Sequence, residues 1–207
     1  MAQIPDMIIF NGKEYLLHNN PLEIYFEENP EKRPKVEIWS NALYKGYMAT
    51  FEIKTDQLYL KDIEILSANK RKRWFLNDLR SLSEVDMWKS VQKKVFPKQK
   101  EVKIDWMTGL LVLPSGKLIE YVDTGYDSTF EYYTILEING GNLVNELHFE
   151  NHEFEKFKEK QFQEFNKTDE YQKLKTGLQN NTAWSDNEIE SFIKSRILEY
   201  LSTILVE

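Results

Sequence analysis

Cysteine is absent from this chain of 207 residues, and histidine occurs only three times. The absence of cysteine excludes a disulfide framework, thiolate metal sites, iron–sulfur clusters and a cysteine nucleophile. Three histidines leave little imidazole chemistry, and the chain has no glycine-rich nucleotide motif and no serine nucleophile elbow. We therefore expect no cofactor.

Long apolar runs are also missing, and none approaches the 18 residues that a membrane-spanning helix needs. The N-terminal sequence MAQIPDMIIF has no basic region, no long apolar stretch and no cleavage site, so it does not resemble a signal peptide. We expect a cytoplasmic protein that does not associate with membranes.

The composition is that of a folded, acidic chain. Hydrophobic residues make up 41% of it, aromatic residues 14% and charged residues 29%, which is typical of a globular protein. The length suits a single domain with a substantial core. The formal net charge of −7 favours solubility and repels phosphate backbones.

The charge is unevenly distributed along the chain. The segment 70–103 carries eleven basic and four acidic residues, a net charge of +7, so the remainder carries −14. This segment is either a docking surface for an acidic partner or nucleic acid, or a solvated connector that pairs with the acidic remainder. Nucleic acid is the disfavoured partner, because the remainder repels phosphate and no nucleic-acid-binding motif is present. The densest basic run is Lys70, Arg71, Lys72 and Arg73.

Four β-hairpins are predicted. Asn11-Gly12 lies between two apolar runs and favours a type I′ turn, since both turn residues need positive φ. The other hairpins are predicted over 47–53 with 57–65, over 109–113 with 117–122 around the turn Pro114-Ser115-Gly116, and over 131–138 with 142–149. A further strand is predicted over 35–39.

The fourth hairpin aligns with the second at an offset of 85 residues. The matched positions are Tyr47 with Tyr132, Glu52-Ile53 with Glu137-Ile138, and Leu58 with Leu143. We therefore predict two similar half-units, residues 7–65 and 109–149, joined by the basic connector 66–108. Because each half has too few strands to bury both faces, the halves are expected to share one antiparallel sheet or one partly open barrel.

Helices are expected mainly after the strands, in a tail over residues 150–207. Its helices are predicted to be capped by Asn151, by Thr168 and by Ser185, which forms a capping box with Glu188, and the last helix continues to Leu205. In the first of these helices, the spacing places Phe154, Phe157, Phe162 and Phe165 on one face. Strands first and helices last predict a single α+β domain over 1–207, with the C-terminal helices packed on the sheet.

Two shorter helices are predicted before the tail. Asn20 and Pro21 begin one that stops at Asn29-Pro30. The connector contains another, capped by Ser83, with Trp88 and Val95 on its apolar face.

The triplet Asp123-Thr124-Gly125 resembles the active-site turn of aspartic proteases. That chemistry needs a second carboxylate about 3 Å away, from another such triplet or from a second chain. This sequence has no second triplet, and a β-turn is the simpler interpretation.

His148 and His152 are four residues apart and would share one face of a helix, as zinc ligands do. However, the strand pattern places His148 at a strand end and His152 in the first turn of a helix, which favours a structural junction over a metal site. His18, at the end of a hairpin, is expected to be structural or exposed.

Aromatic residues cluster around the second and fourth hairpins. Tyrosine and tryptophan are favoured at protein interfaces, and they also line ligand grooves. The alternative is cross-strand packing within the sheet. The cluster consists of Trp39, Tyr44, Tyr47, Tyr126, Phe130, Tyr132 and Tyr133.

Three segments carry a family resemblance: NPLEIYFEENPEKRP (20–34), GYMATFEIKTDQLYLKDIEI (46–65) and VFPKQKEVKIDWMTGLLVLPSGKLIEY (95–121). Together they resemble an uncharacterised family of small bacterial proteins, over residues 7–165. The resemblance implies no activity, cofactor or catalytic residue. Freestanding acidic proteins of this kind in bacterial gene clusters are often immunity or other interaction proteins, an analogy rather than a property of these residues.

We therefore expect a non-catalytic bacterial interaction protein, in its most specific form an immunity protein that covers the basic surface of a toxin. One alternative is a small-ligand binding module with an aromatic-lined pocket. Another is an enzyme that uses convergent carboxylates of shifted pKa. The residues expected to contact a partner or ligand are Trp39, Tyr44, Tyr47, Tyr126, Tyr132, Tyr133, Lys70, Arg71, Lys72 and Arg73.

Overall fold

The computed structural model describes residues 1–67, 88–99 and 101–206. The basic run 70–73 and the predicted cap Ser83 lie outside these residues. Within them, no helix has the length and apolar character needed to cross a membrane. The strands are β1 (Asp6–Phe10), β2 (Lys13–Leu17), β3 (Met48–Lys54), β4 (Gln57–Leu66), β5 (Trp88–Ser90), β6 (Val102–Lys103), β7 (Gly109–Glu120), β8 (Thr129–Asn139) and β9 (Asn142–Glu150). The helices are α1 (Pro21–Glu28), α2 (Gln92–Val95), α3 (Asn151–Phe165), α4 (Asp169–Asn181) and α5 (Asp186–Ser195).

The strands of the described residues form one nine-stranded sheet in the order β2-β1-β3-β4-β9-β8-β7, with β5 and β6 paired to β4. Its strand pairs are antiparallel except β1 with β3. Asn11 and Gly12 both have positive φ in the β1–β2 turn, as the type I′ prediction requires. The predicted α+β fold, a mostly antiparallel open sheet with C-terminal helices packed on it, is confirmed.

The sheet curls so that its two ends approach each other without closing. His18, just after β2, donates its backbone N–H to the Val112 carbonyl at 2.9 Å. The Asn19 side chain accepts a hydrogen bond from the Val112 N–H at 2.6 Å. These contacts form a seam between β2 and β7.

Two apolar cores lie on opposite faces of the curled sheet. Side chains alternate along β7, since successive residues of a strand point to opposite faces. Leu111 and Leu113 belong to the core inside the curve of the sheet. Leu110 and Val112 belong to the core between the sheet and the C-terminal helices, here called the helical core. The predicted phenylalanine face of α3 is confirmed, with Phe154, Phe157, Phe162 and Phe165 all buried.

The helix starts follow local capping chemistry. Thr168 caps α4 by accepting the Tyr171 N–H, and Ser185 with Glu188 forms a capping box at α5, both as predicted. The cap of α3 is Glu150 rather than Asn151, because Glu150 forms a capping box with Glu153.

The predicted hairpin over 109–122 is wrong. This segment is the single strand β7, which pairs with β8 along its whole length, with irregularities between Ser115 and Glu120. Gly116 has φ of +77°, and a Cβ there would lie 2.8 Å from the Tyr132 ring. Pro114 is tolerated because β7 lies at the end of the sheet order, so Pro-Ser-Gly forms a bulge instead of a turn.

The strand predicted over 35–39 is also wrong. The segment forms no strand, and its residues Val36 and Ile38 are exposed. Val36 instead packs over Gly46. Its Cγ2 is so near this glycine that a Cβ added to Gly46 would lie only 2.6 Å away.

Two predicted helices differ from the structure. In the connector, Trp88 lies in β5 and pairs with Leu66, and the helix found among the described connector residues is α2, which has four residues. The last helix ends at Ser195 rather than Leu205, and a 3-10 turn follows over Ile197–Glu199. The apolar residues beyond Ser195 are buried without helical backbone, since Ile197 is fully buried in the helical core.

The tips of the β3–β4 and β8–β9 hairpins meet through two reciprocal hydrogen bonds. Leu58 donates its N–H to the Gly141 carbonyl at 2.8 Å, and Leu143 donates to Asp56 at 2.7 Å. The two donors, Leu58 and Leu143, are 85 residues apart, and so are the two acceptors, Asp56 and Gly141. The bonds are therefore equivalent when the two hairpins are exchanged. The contact therefore agrees with the proposed half-units, whose relationship stays a prediction.

Replacing Gly141 by alanine should destabilise the fold markedly. Gly141 has φ of +78°, and an added Cβ would overlap the carbonyl oxygen of Ile104. Gly12 is the matched control, since it has φ of +73° with nothing within 4 Å. We expect Gly141→Ala to lower the free energy of unfolding by about 1–3 kcal/mol more than Gly12→Ala, because only the first forces backbone to move. Urea denaturation of both variants tests this, and equal losses would contradict it.

Candidate functional site

A groove of about 1400 Å³ opens beside the seam between β2 and β7. It is lined by residues of α1, α3 and α5, by residues 44–45 and by residues 124–129. The groove exceeds the roughly 300–1,000 Å³ of ordinary small-ligand pockets, so a segment of a larger partner also fits.

A buried ion pair supports the floor of this groove. Asp6, at the start of β1, is fully buried and lies 2.6 Å from the Lys45 ammonium. Its Oδ1 also accepts the Ala49 N–H at 2.6 Å, whereas its Oδ2 has no partner among the described residues. Burial raises the pKa of Asp6 and lowers the pKa of Lys45, because the loss of water disfavours both charged forms.

A second charged cluster lies beside this pair. Glu23, on α1, binds the Arg33 guanidinium through both carboxylate oxygens, the shorter contact being 2.6 Å. The Tyr47 hydroxyl donates to Glu23 at 2.7 Å. Burial raises the pKa of Tyr47 well above its ordinary value, so this hydroxyl stays a donor. Together these bonds fix α1 against the start of β3.

Asn20 joins the ion pair to the aromatic wall of the groove. Its side-chain oxygen accepts hydrogen bonds from Lys45 at 3.0 Å and from the Tyr126 hydroxyl at 2.9 Å. The sequence predicted Asn20 as a helix cap, but its side chain makes no capping bond. Burial raises the pKa of Tyr126, which therefore remains protonated.

His18 stacks on Tyr126, with ring centroids 5.1 Å apart, and meets the edge of the Phe130 ring at 5.7 Å. Burial lowers the pKa of His18 to about 4, so the ring is neutral near pH 7. Its nitrogens make no hydrogen bond to the described residues. His18 is therefore a structural histidine that lines the groove.

Residues 36–44, here called the aromatic loop, adjoin the groove, since Tyr44 lines it. Trp39 is 59% exposed and Tyr44 is 74% exposed. Their rings form an edge-to-face pair with centroids 6.0 Å apart. Two large aromatic side chains thus project into solvent side by side.

The backbone of the aromatic loop is held at both ends. The Gln3 side chain donates to the Asn41 carbonyl at 2.9 Å and accepts the Tyr44 N–H at 3.0 Å. At the other end, Glu37 pairs with Lys89 at 2.6 Å. The hydrogen bonds to Gln3 therefore hold the loop backbone at Asn41 and Tyr44, and the Glu37 end is tied by a side-chain ion pair.

The structure separates the aromatic residues that the sequence singled out. Trp39 and Tyr44 are exposed, and Tyr126 lines the groove. Tyr132 is 45% exposed on β8 and does not line the groove.

Tyr47 and Tyr133 are buried. Tyr47 packs against Phe26, and Tyr133 stacks on Phe154 with centroids 3.9 Å apart. Tyr47 does not line the groove, whereas Tyr133, although only 4% exposed, does. The basic residues 70–73 lie outside the described part of the chain.

His148 lies in β9 and His152 in the first turn of α3, as predicted. His148 hydrogen-bonds Thr134 at 3.0 Å and Glu146 at 2.9 Å. Thr134, His148 and Glu146 thus follow one another in the order nucleophile, base and acid of a catalytic triad. Thr134 is buried, however, and none of the three lines the groove, so this is a cross-strand contact. The described residues contain no cluster of three metal-binding side chains.

Asp123, the carboxylate of the Asp-Thr-Gly triplet, binds the N-terminal segment. It accepts the Ala2 N–H at 2.8 Å and the Tyr121 hydroxyl at 3.2 Å. Ala2 also pairs with Gly125 in an isolated parallel bridge. The triplet therefore anchors the segment that holds the aromatic loop.

Comparison with protein-family models, curated proteins and solved structures found no match to this chain.

Proposed function

We propose that this chain is a non-catalytic interaction protein that binds another protein through the aromatic loop and the adjoining groove. The observation that carries the proposal is the exposed pair Trp39 and Tyr44 on a held backbone. Tryptophan and tyrosine dominate binding energy at interfaces. Ordered backbone reduces the entropy that binding costs.

Immunity to a toxin is the most specific form of this proposal. The net charge of −7 supports a basic partner, since complementary charge raises association rates. When this chain is bound to the toxin through the aromatic loop, it would cover the toxin surface and block access to it.

The enzyme alternative has less support. It needs two convergent carboxylates with strongly shifted pKa values. Among the described residues that line the groove, only Glu199 has a carboxyl group with a raised pKa.

Alanine substitution in the aromatic loop tests the proposal. We expect Trp39→Ala and Tyr44→Ala each to weaken partner binding by tenfold or more, about 1.4–2 kcal/mol, because interface aromatics contribute at this scale. Stability should change by less than about 0.5 kcal/mol, since both side chains are exposed. The measurement is a dissociation constant for the protein that the tagged chain captures from host lysate.

An exposed tryptophan outside the loop provides a matched control. Trp184→Ala removes a side chain that is 43% exposed and does not line the groove. This control should retain the partner. Equal weakening in the loop and control variants would contradict the proposal.

A second candidate function is small-ligand binding in the groove. It is favoured by His18, whose neutral ring lines the groove without a hydrogen bond to the described residues. A metabolite that raises the Tm of the wild type but not of His18→Phe would establish this function.

A further inference from the structure

The basic side chains of the groove already have partners. Each lysine or arginine that lines it lies 2.6–3.4 Å from a carboxylate of this chain. These five residues are Arg33, Lys45, Lys158, Lys194 and Arg196. An anionic ligand would therefore compete with existing ion pairs.

Two carboxylates in the groove lining have no such partner. Glu27, on α1, and Asp127, beside Tyr126, are both exposed to solvent. Neither forms an ion pair within 4.0 Å with any described lysine, arginine or histidine. The lining thus has uncompensated negative charge on both the α1 side and the 124–129 side.

The other negative charges at the groove are compensated within the chain. Glu199, in the lining, is exposed and pairs with Arg196 at 3.4 Å. Asp6, behind the groove, is fully buried and pairs with Lys45 at 2.6 Å. The unpaired negative charge of the lining therefore rests on Glu27 and Asp127, and a cationic group that enters the groove would be attracted to these two carboxylates.

The aromatic lining suits the same kind of ligand. Tyr44 and Tyr126 both line the groove, and aromatic faces attract lysine ammonium and arginine guanidinium groups. Tyr44 also belongs to the aromatic loop, so one partner can contact the loop and the groove together.

We propose that the groove binds a basic segment of the protein partner, whose lysine or arginine side chains pair with Glu27 and Asp127. This inference rests on the proposed function and specifies its partner. The aromatic loop supplies the apolar anchor, and the groove selects for positive charge.

A short cationic peptide tests this inference without the partner. The probe is an end-blocked peptide of four arginines carrying a rhodamine label, with fluorescence anisotropy read at 50 mM and 300 mM salt. We expect the wild type to bind it and the double variant Glu27→Gln/Asp127→Asn to bind about tenfold more weakly at low salt, since two charge contacts are lost. The difference should shrink at high salt, because exposed charges are screened.

The matched control removes the same charge elsewhere. Glu14 and Glu120 are exposed, do not line the groove and form no ion pair with the described residues. Glu14→Gln/Glu120→Gln should change peptide affinity by less than about twofold. Equal weakening by both double variants, or no binding by the wild type, would overturn the inference.

The two proposals fail separately. If Trp39→Ala leaves partner affinity unchanged while Glu27→Gln/Asp127→Asn weakens peptide binding, the aromatic-loop function fails and the basic-segment site stands. If the reverse holds, the loop function stands and the groove site fails.

Discussion

Asp6→Ala is expected to lower the free energy of unfolding by about 3–5 kcal/mol, because it leaves the Lys45 ammonium buried without its carboxylate. The Ala49 N–H also loses its acceptor. Lys45→Met should cost a similar amount, since it leaves Asp6 as an unpaired buried charge. Urea denaturation at pH 7 measures both losses.

The double variant Asp6→Leu/Lys45→Met separates the ion pair from packing. Replacing both partners by apolar residues of similar size is often neutral or stabilising. We therefore expect the double variant to be more stable than either single variant. If each single variant lost less than about 1 kcal/mol of unfolding free energy, Asp6 and Lys45 would not form a buried pair of charged groups.

Stability is expected to fall as the pH decreases from about 6.5 to about 4, because of His18. Its pKa is 6.5 in the unfolded chain and about 4 in the folded one, where burial disfavours the charged ring. Between these values the unfolded chain binds more protons, so acid favours unfolding. The stability contributed by the neutral ring is fully present above pH 6.5, and the loss reaches up to about 3 kcal/mol at pH 4.

His18→Phe isolates this effect. Phenylalanine keeps a ring against Tyr126 and Phe130 but does not titrate. Carboxylates titrate in both proteins, so the difference between the two pH profiles reports His18 alone. The profile of the variant should be flatter between pH 6.5 and 4. Superimposable profiles would contradict the lowered pKa.

Much of the fold could be predicted because local chemistry determines it. Asn11-Gly12 forms the expected turn, and Ser185 with Glu188 forms the expected capping box. The spacing of the phenylalanines in α3 identified its buried face. In each case the residues that predict the element lie in that element or within a few residues of it.

Other elements depend on distant contacts. Pro114-Ser115-Gly116 suits a turn or a bulge, and pairing of β7 with β8 selects the bulge. The apolar Ile197 suits a continued helix, but it lies in a 3-10 turn and is buried in the helical core. Neither choice is visible in the local sequence.

The candidate site was predicted in part. Aromatic composition identified Trp39 and Tyr44, whose exposure required the structure. The groove floor was missed, because Asp6, Asn20 and Lys45 are far apart in sequence and meet only through the fold. The one available signal was a charged residue at the start of the apolar strand DMIIF.

The central claim is that a protein partner contacts the aromatic loop and the groove. Hydrogen–deuterium exchange of the chain, alone and in complex with the captured partner, tests it most directly. Slower exchange in the complex is predicted for residues 36–46 and 124–129. Protection confined to other surfaces, such as residues 114–121 at the exposed end of β7, would contradict it.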